Sequence, residues 1–334
     1  MQPNFADRDG LIWFDGELKP WRDCQTHVLT HTLHYGLGCF EGVRAYQTAD
    51  GAAIFRLRDH TRRLFDSAKI LGMDIPFSME EIDAAQKAAV ASNDLDHAYL
   101  RPMVFYGSEG MGLRADSLKT HVIVAAWAWG SYMGEENMKR GIKVRTSSYT
   151  RHHVNITMTK AKANGNYMNS MLALQEALTG GADEALLLDP EGYVAEGSGE
   201  NVFIVRDGVI YTPELTSCLD GITRKTIFRL AKEHGLDVVE KRITRDEVLI
   251  ADEAFFTGTA AEVTPIRELD SRPIGAGSRG PITEMLQSDY FDVVHDRNEK
   301  FSEWVTLVKD CFMPTLGVGP NCVRDMIAAH ALIS

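Results

Sequence analysis

Two Asp-Gly pairs, Asp15-Gly16 and Asp207-Gly208, constrain the fold of this 334-residue chain more than any other feature. Leu11-Ile12-Trp13-Phe14 precedes the first, and residues 201–205 and Val209–Thr212 flank the second. Asp and Gly tolerate the positive φ of a two-residue hairpin turn, so each pair predicts an antiparallel hairpin. Helical patterns lie between them. Residues 59–71 set Leu64, Phe65, Ala68 and Leu71 at helical spacing, and Ser78-Met79-Glu80-Glu81 is a capping box opening a helix to about Asn93. Residues 52–57, Ala98–Tyr106 and 121–129 read as strands from their β-branched and aromatic content. Hairpins mixed with helices predict two α+β domains rather than one doubly wound parallel sheet.

The glycines and charges of residues 130–136 mark an interdomain connection, giving a smaller domain over 1–129 and a larger one over 137–308. In the second half, residues 166–178 predict a helix closed by Gly180-Gly181, Glu184–Leu188 a buried strand, and residues 223–234 an amphipathic helix. Thr244-Arg245-Asp246-Glu247 caps a short helix, and Ala254-Phe255-Phe256 forms a strand leading into Gly258-Thr259-Ala260. A net charge of -12 argues against nucleic acid or an anionic membrane as a partner and favours small molecules. Five cysteines without a C-x-x-C pair suit a reducing cytoplasm. No secretory or membrane-spanning pattern is expected.

His27, His31 and His34 would share one face of a helix, but their β-branched and glycine neighbours suit an extended chain, so no metal is expected there. The glycines of residues 36–42 and 197–202 miss the G-x-G-x-x-G spacing of a nicotinamide site. The second set can still present backbone amides to a phosphate. Gly221-Ile222-Thr223-Arg224 at a helix start and Gly258-Thr259-Ala260 after a strand offer more amides and hydroxyls. With Glu196 and a lysine from Thr159-Lys160-Ala161-Lys162, these describe a pyridoxal-phosphate site. Residues two apart on an extended strand project to one side, so Lys160 and Lys162 are equal candidates on local grounds.

Six ordered segments, His34–Arg44, Ala98–Pro102, Lys162–Tyr167, Glu196–Asn201, Gly221–Arg224 and Gly258–Glu262, resemble the branched-chain amino-acid aminotransferases among the fold-type IV pyridoxal-phosphate enzymes. The likeness covers roughly residues 10–308. It implies a small N-terminal α/β domain and a larger C-terminal domain with a β-barrel-like core. It also implies transamination of leucine, isoleucine and valine with 2-oxoglutarate, the alternative being another fold-type IV activity: D-amino-acid or amine transamination, or aminodeoxychorismate lysis. By the same resemblance, Lys162 would be the Schiff-base lysine, Glu196 the partner of the pyridine nitrogen and Tyr167 that of the phenolic oxygen. Arg63, Ile222, Thr223 and Thr259 would hold the phosphate.

For the substrate, the resemblance implies that Tyr99 and the amides of Thr259 and Ala260 take the α-carboxylate. Tyr35, Phe40, Trp129 and Tyr132 would wall an apolar pocket, and Arg101 would help receive the side-chain carboxylate of glutamate. The relatives assemble at least as dimers, which implies a homo-oligomer. Residues 212–221 form a loop about one residue shorter than in the relatives, and residues 309–334 match no segment of the family.

Overall fold

The computed structural model describes residues 4–130 and 134–310. Asp15 and Gly16, at φ 50° and 100°, turn Leu11–Phe14 back onto Glu17–Pro20 in antiparallel register. Asp207 and Gly208, at φ 51° and 78°, do the same for Asn201–Arg206 and Val209–Thr212. Both expected hairpins therefore form, one in each of two sheets.

The first sheet has eight strands in the spatial order Val305–Leu307, Gly51–Phe55, Val43–Thr48, Ala98–Tyr106, Thr120–Trp127, Leu11–Phe14 and Glu17–Pro20, with Gly38–Phe40 alongside Ala98–Tyr106. Helices Leu57–Ile70 and Met79–Ala91 join its core, where Leu64, Ile82, Leu100, Val104 and Val122 are fully buried. Its edge strand Val305–Leu307 comes from the other end of the described chain. Pro102 sits inside the nine-residue strand without breaking it. Phe40 pairs with Met103 and Val43 with Leu100, so Glu41 and Gly42 form a gap in the neighbouring strand. The Pro102 carbonyl accepts from Glu41 N at 2.8 Å, and its missing N–H faces that same gap.

The second sheet has nine strands, in the order Val194–Gly197, Glu184–Leu188, Ile142–Thr146, Glu262–Leu269, Glu253–Gly258, Asn201–Arg206, Val209–Thr212 and Val238–Glu240, with Arg272–Pro273 beside Glu262–Leu269. It curls into a half-barrel of mixed direction. Helices Ile222–Glu233 and Pro281–Val294 bury Ile227, Leu286 and Tyr290 against Phe203 and Phe255. Tyr46 and Phe55 of the first sheet join that cluster, so the two sheets share an apolar seam.

One expectation is corrected. His31–Tyr35 is a short helix, not extended chain, ended by Gly36 at φ 72°. Thr32 and Leu33 tolerate one turn there because a glycine able to adopt the left-handed conformation closes it. In the connection, residues 131–133 lie outside the described residues, and a helix already begins at Glu135 after Gly134 at φ 79°.

Candidate active site

The two sheets and the helix Tyr167–Thr179 enclose a cavity of about 430 Å³ lined by Phe40, Arg63, Tyr99, Lys162, Glu196 and Thr259, among others. That volume is in the range of small-molecule sites. Lys162 lies between Ile142–Thr146 and Glu184–Leu188 of the second sheet, and its backbone reaches residues next to the first: its N–H donates to Ser67 Oγ at 3.0 Å and its carbonyl accepts from Phe40 N at 3.1 Å. Lys162 Nζ donates to Tyr167 Oη at 2.6 Å and stands 5.1 Å from the centre of the Phe40 ring. Lys160 goes elsewhere. The backbone is a turn at 160 rather than a strand, and Lys160 Nζ donates to the carbonyls of Leu215 and Cys218. The 212–221 loop is thereby tied down by the lysine that does not face the cavity.

Glu196, buried, receives Leu219 N at 3.2 Å and Asn201 Nδ2 at 3.4 Å on Oε2. Its Oε1 lies 2.7 Å from Arg151 Nη2 but has no aligned hydrogen bond. Burial raises the Glu196 pKa, and the Arg151 charge opposes that rise. Nearby Glu200 is pushed well above the usual carboxylate range by burial and by the adjacent Glu184 carboxyl.

Arg63 projects from the helix Leu57–Ile70 onto Glu41, with Nε 2.6 Å from Oε1 and Nη2 2.9 Å from Oε2, and Nη1 donates to the Asp220 carbonyl at 3.0 Å. His60 Nδ1 lies 2.7 Å from the same carboxylate. Burial would raise the Glu41 pKa, but Arg63 and His60 overcome it and bring it down to about 2. Burial lowers the His60 pKa against the opposing Glu41 charge, and Nδ1–H donates to the carboxylate. Three of the five guanidinium N–H donors of Arg63 are engaged, leaving one on each terminal nitrogen.

Ile222 and Thr223 open the helix Ile222–Glu233, whose N-cap Gly221 supplies no side-chain bond to its first amides. A Cβ at Gly221 would collide with Asn201 Oδ1. Thr259 and Ala260 form a turn that lines the same cavity as this helix start. Free helix-start amides suit a phosphate, the unfilled Glu196 Oε1 suits a protonated ring nitrogen, and Lys162 suits an aldehyde. The residues present therefore fit pyridoxal phosphate.

The substrate side is built on Tyr99. Its ring packs edge-on to Trp129 at 4.5 Å, its hydroxyl accepts from Arg101 Nη2 at 3.2 Å, and a Cβ at Gly42 would strike that hydroxyl. The Arg101 guanidinium lies 4.5 Å from the centre of the Phe40 ring. Phe40, Tyr99, Arg101, Trp129, Thr259 and Ala260 all line the cavity. Tyr35 does not: it is 43% exposed, lies tilted against His31 and takes the Gly112 amide on its hydroxyl. Tyr132 lies outside the described residues.

Sequence reasoning missed Arg151, and Glu41 and His60 as partners of Arg63. A charged residue between Phe40 and Gly42 in an apolar strand was the available sign for Glu41; nothing in the spacing pointed to Arg151. Among the described residues, no cluster of His, Cys, Asp and Glu offers a metal site, and no helix is long and apolar enough to cross a membrane.

The class IV aminotransferase family matches residues 38–269. A branched-chain-amino-acid aminotransferase of Pseudomonas aeruginosa is 72% identical over 306 residues, 92% of this chain and 100% of that protein. A T.th. branched-chain amino acid aminotransferase, solved with pyridoxamine 5′-phosphate, superposes with a TM-score of 0.88 at 49% identity, over 90% of this chain and 99% of that one. The same enzyme complexed with N-(5′-phosphopyridoxyl)-L-glutamate gives a TM-score of 0.87 at 48% identity over the same shares. A match spanning both sheets and every element around the cavity leaves one conclusion: the chain belongs to the class IV aminotransferases.

Proposed function

We propose that this chain transfers the amino group of leucine, isoleucine or valine to 2-oxoglutarate, with pyridoxal 5′-phosphate as cofactor, giving the branched-chain 2-oxo acids and L-glutamate. The observation that carries the reading is a single cavity where the Lys162 amine faces an aromatic wall containing one reachable cation, Arg101. An aliphatic side chain needs that wall in one half-reaction, and the glutamate carboxylate needs the cation in the other. The 72% identity with a curated branched-chain enzyme supports the same substrates.

When bound, the cofactor supplies an electron-withdrawing ring that stabilises the charge left on the substrate Cα. Lys162 Nζ anchors it and, once free, carries the Cα proton. Tyr167 Oη, which accepts from Nζ at 2.6 Å, orients that amine and would donate its own hydrogen to the cofactor's phenolic oxygen. Glu196, backed by Arg151, keeps the ring nitrogen protonated. Arg63, Ile222, Thr223 and Thr259 hold the phosphate. Tyr99 and the amides of Thr259 and Ala260 hold the α-carboxylate, while Phe40 and Trp129 exclude water from the side chain.

We read the two sheets as two domains that meet at the cavity. The unpaired Cys24, Cys39 and Cys218 support a cytoplasmic protein. The exposed Met168, Met171 and Leu172 on the cavity helix, with exposed Met111 and Leu113, support a homodimer or larger homo-oligomer. Single-turnover assays test the activity: leucine, isoleucine and valine should each convert the bound cofactor to its amine form, and failure of all three contradicts the reading.

A further inference from the structure

Glu262 closes the three-residue turn Thr259–Ala261 opposite Gly258, and it does so at φ 55°. This left-handed corner ordinarily goes to glycine or asparagine because a longer side chain strains it. The backbone gives no reason for a glutamate, so the reason lies in what the side chain reaches.

The carboxylate is buried, and Oε1 accepts from Arg44 Nη1 at 2.8 Å and from Tyr46 Oη at 2.9 Å, both on the first sheet's strand Val43–Thr48. Arg44 Nη2 also donates to the Gly130 carbonyl at 2.8 Å. Tyr46 Oη lies 3.4 Å from Tyr290 Oη on the helix Pro281–Val294. Burial, with the Glu262 charge, keeps both phenols protonated, so each has a hydrogen to donate. One side chain thus ties the turn bearing Thr259 and Ala260 to the opposite sheet.

We infer that Glu262 is a positioning residue: through Arg44 and Tyr46 it fixes the Thr259 and Ala260 amides against the substrate cavity. This rests on the function proposed above, in which those amides take the carboxylate shared by all substrates. Loss of the tie should therefore weaken every carboxylate ligand by a common factor, whatever its side chain. Loss of a wall or of Arg101 would instead change the ratio between aliphatic and acidic ligands.

The test is binding of 4-methylpentanoate and of glutarate to the full-length holoenzyme, followed by the visible band of the cofactor, so no turnover is needed. Glu262→Gly relieves the corner and removes the tie, and should raise both dissociation constants by roughly tenfold, in parallel. Glu262→Gln keeps an oxygen for Arg44 and Tyr46 and should stay within about threefold of the parent. Should Glu262→Gly fail to fold, Tyr46→Phe removes one donor and should raise both constants by about threefold. Unchanged constants in the glycine variant, or in Tyr46→Phe where that substitutes for it, would overturn the inference, as would an effect on one ligand alone. A parent enzyme that fails to transaminate leucine in a parallel assay would overturn the proposed function while leaving this binding result to be read by itself.

Discussion

Arg63 and Glu41 face each other through two contacts of 2.6 and 2.9 Å, the guanidinium on one helix and the carboxylate in the gap opposite Pro102. The pair fixes the arginine in advance, leaving two N–H donors for a phosphate. Fixing it beforehand removes an ordering cost that a free side chain would meet on binding.

Glu41→Gln should loosen this arrangement. Arg63, 13% exposed, then loses its counter-ion, and cofactor retention during gel filtration should fall with it. The pH dependence has a definite sign. Glu41 is held at about 2 against an ordinary value of 4.5, so its contribution is complete above about pH 5 and lost as pH falls toward 2. Urea midpoints of parent and variant should differ most near neutrality and converge below pH 4; a constant gap would contradict the pairing.

Arg151→Met should act through Glu196. Without the cation 2.7 Å from Oε1, burial raises the carboxyl further and it takes up a proton. We expect about 100-fold lower kcat, since general acid–base steps that depend on a charged ring carry roughly that factor. The absorbance of the bound cofactor should also change its pH dependence. A variant with parental kcat and spectrum would remove Glu196 from its assigned role.

Arg101→Leu separates the two half-reactions. The guanidinium over Phe40 is the cation assigned to the acidic substrate. KM for 2-oxoglutarate should rise more than tenfold, while KM for leucine stays within about threefold. Equal increases for both would assign Arg101 to the common carboxylate instead.

What the sequence made legible was local. Asp15-Gly16 and Asp207-Gly208 turn where their φ preferences require, and the Ser78 and Thr244 capping boxes form as read. Local strand geometry leaves Lys160 and Lys162 equivalent, and only the family resemblance over Lys162–Tyr167 singles out Lys162. The chain instead turns at Lys160, which sends one amine to a loop and the other to the cavity. Contacts between distant segments left no trace in periodicity: Arg44 reaches Glu262 across 218 positions. Arg151 reaches Glu196 only once Ile142–Thr146 and Val194–Gly197 share a sheet. The His31–Tyr35 helix escapes sequence reading because one turn is too short for a hydrophobic period to register.

The central claim is that Lys162 holds the cofactor, and borohydride reduction of the holoenzyme followed by peptide mapping tests it most directly. The account predicts the reduced label on Lys162, its loss in Lys162→Ala and its persistence in Lys160→Ala. Label on Lys160, or label retained by the Lys162→Ala protein, would contradict it.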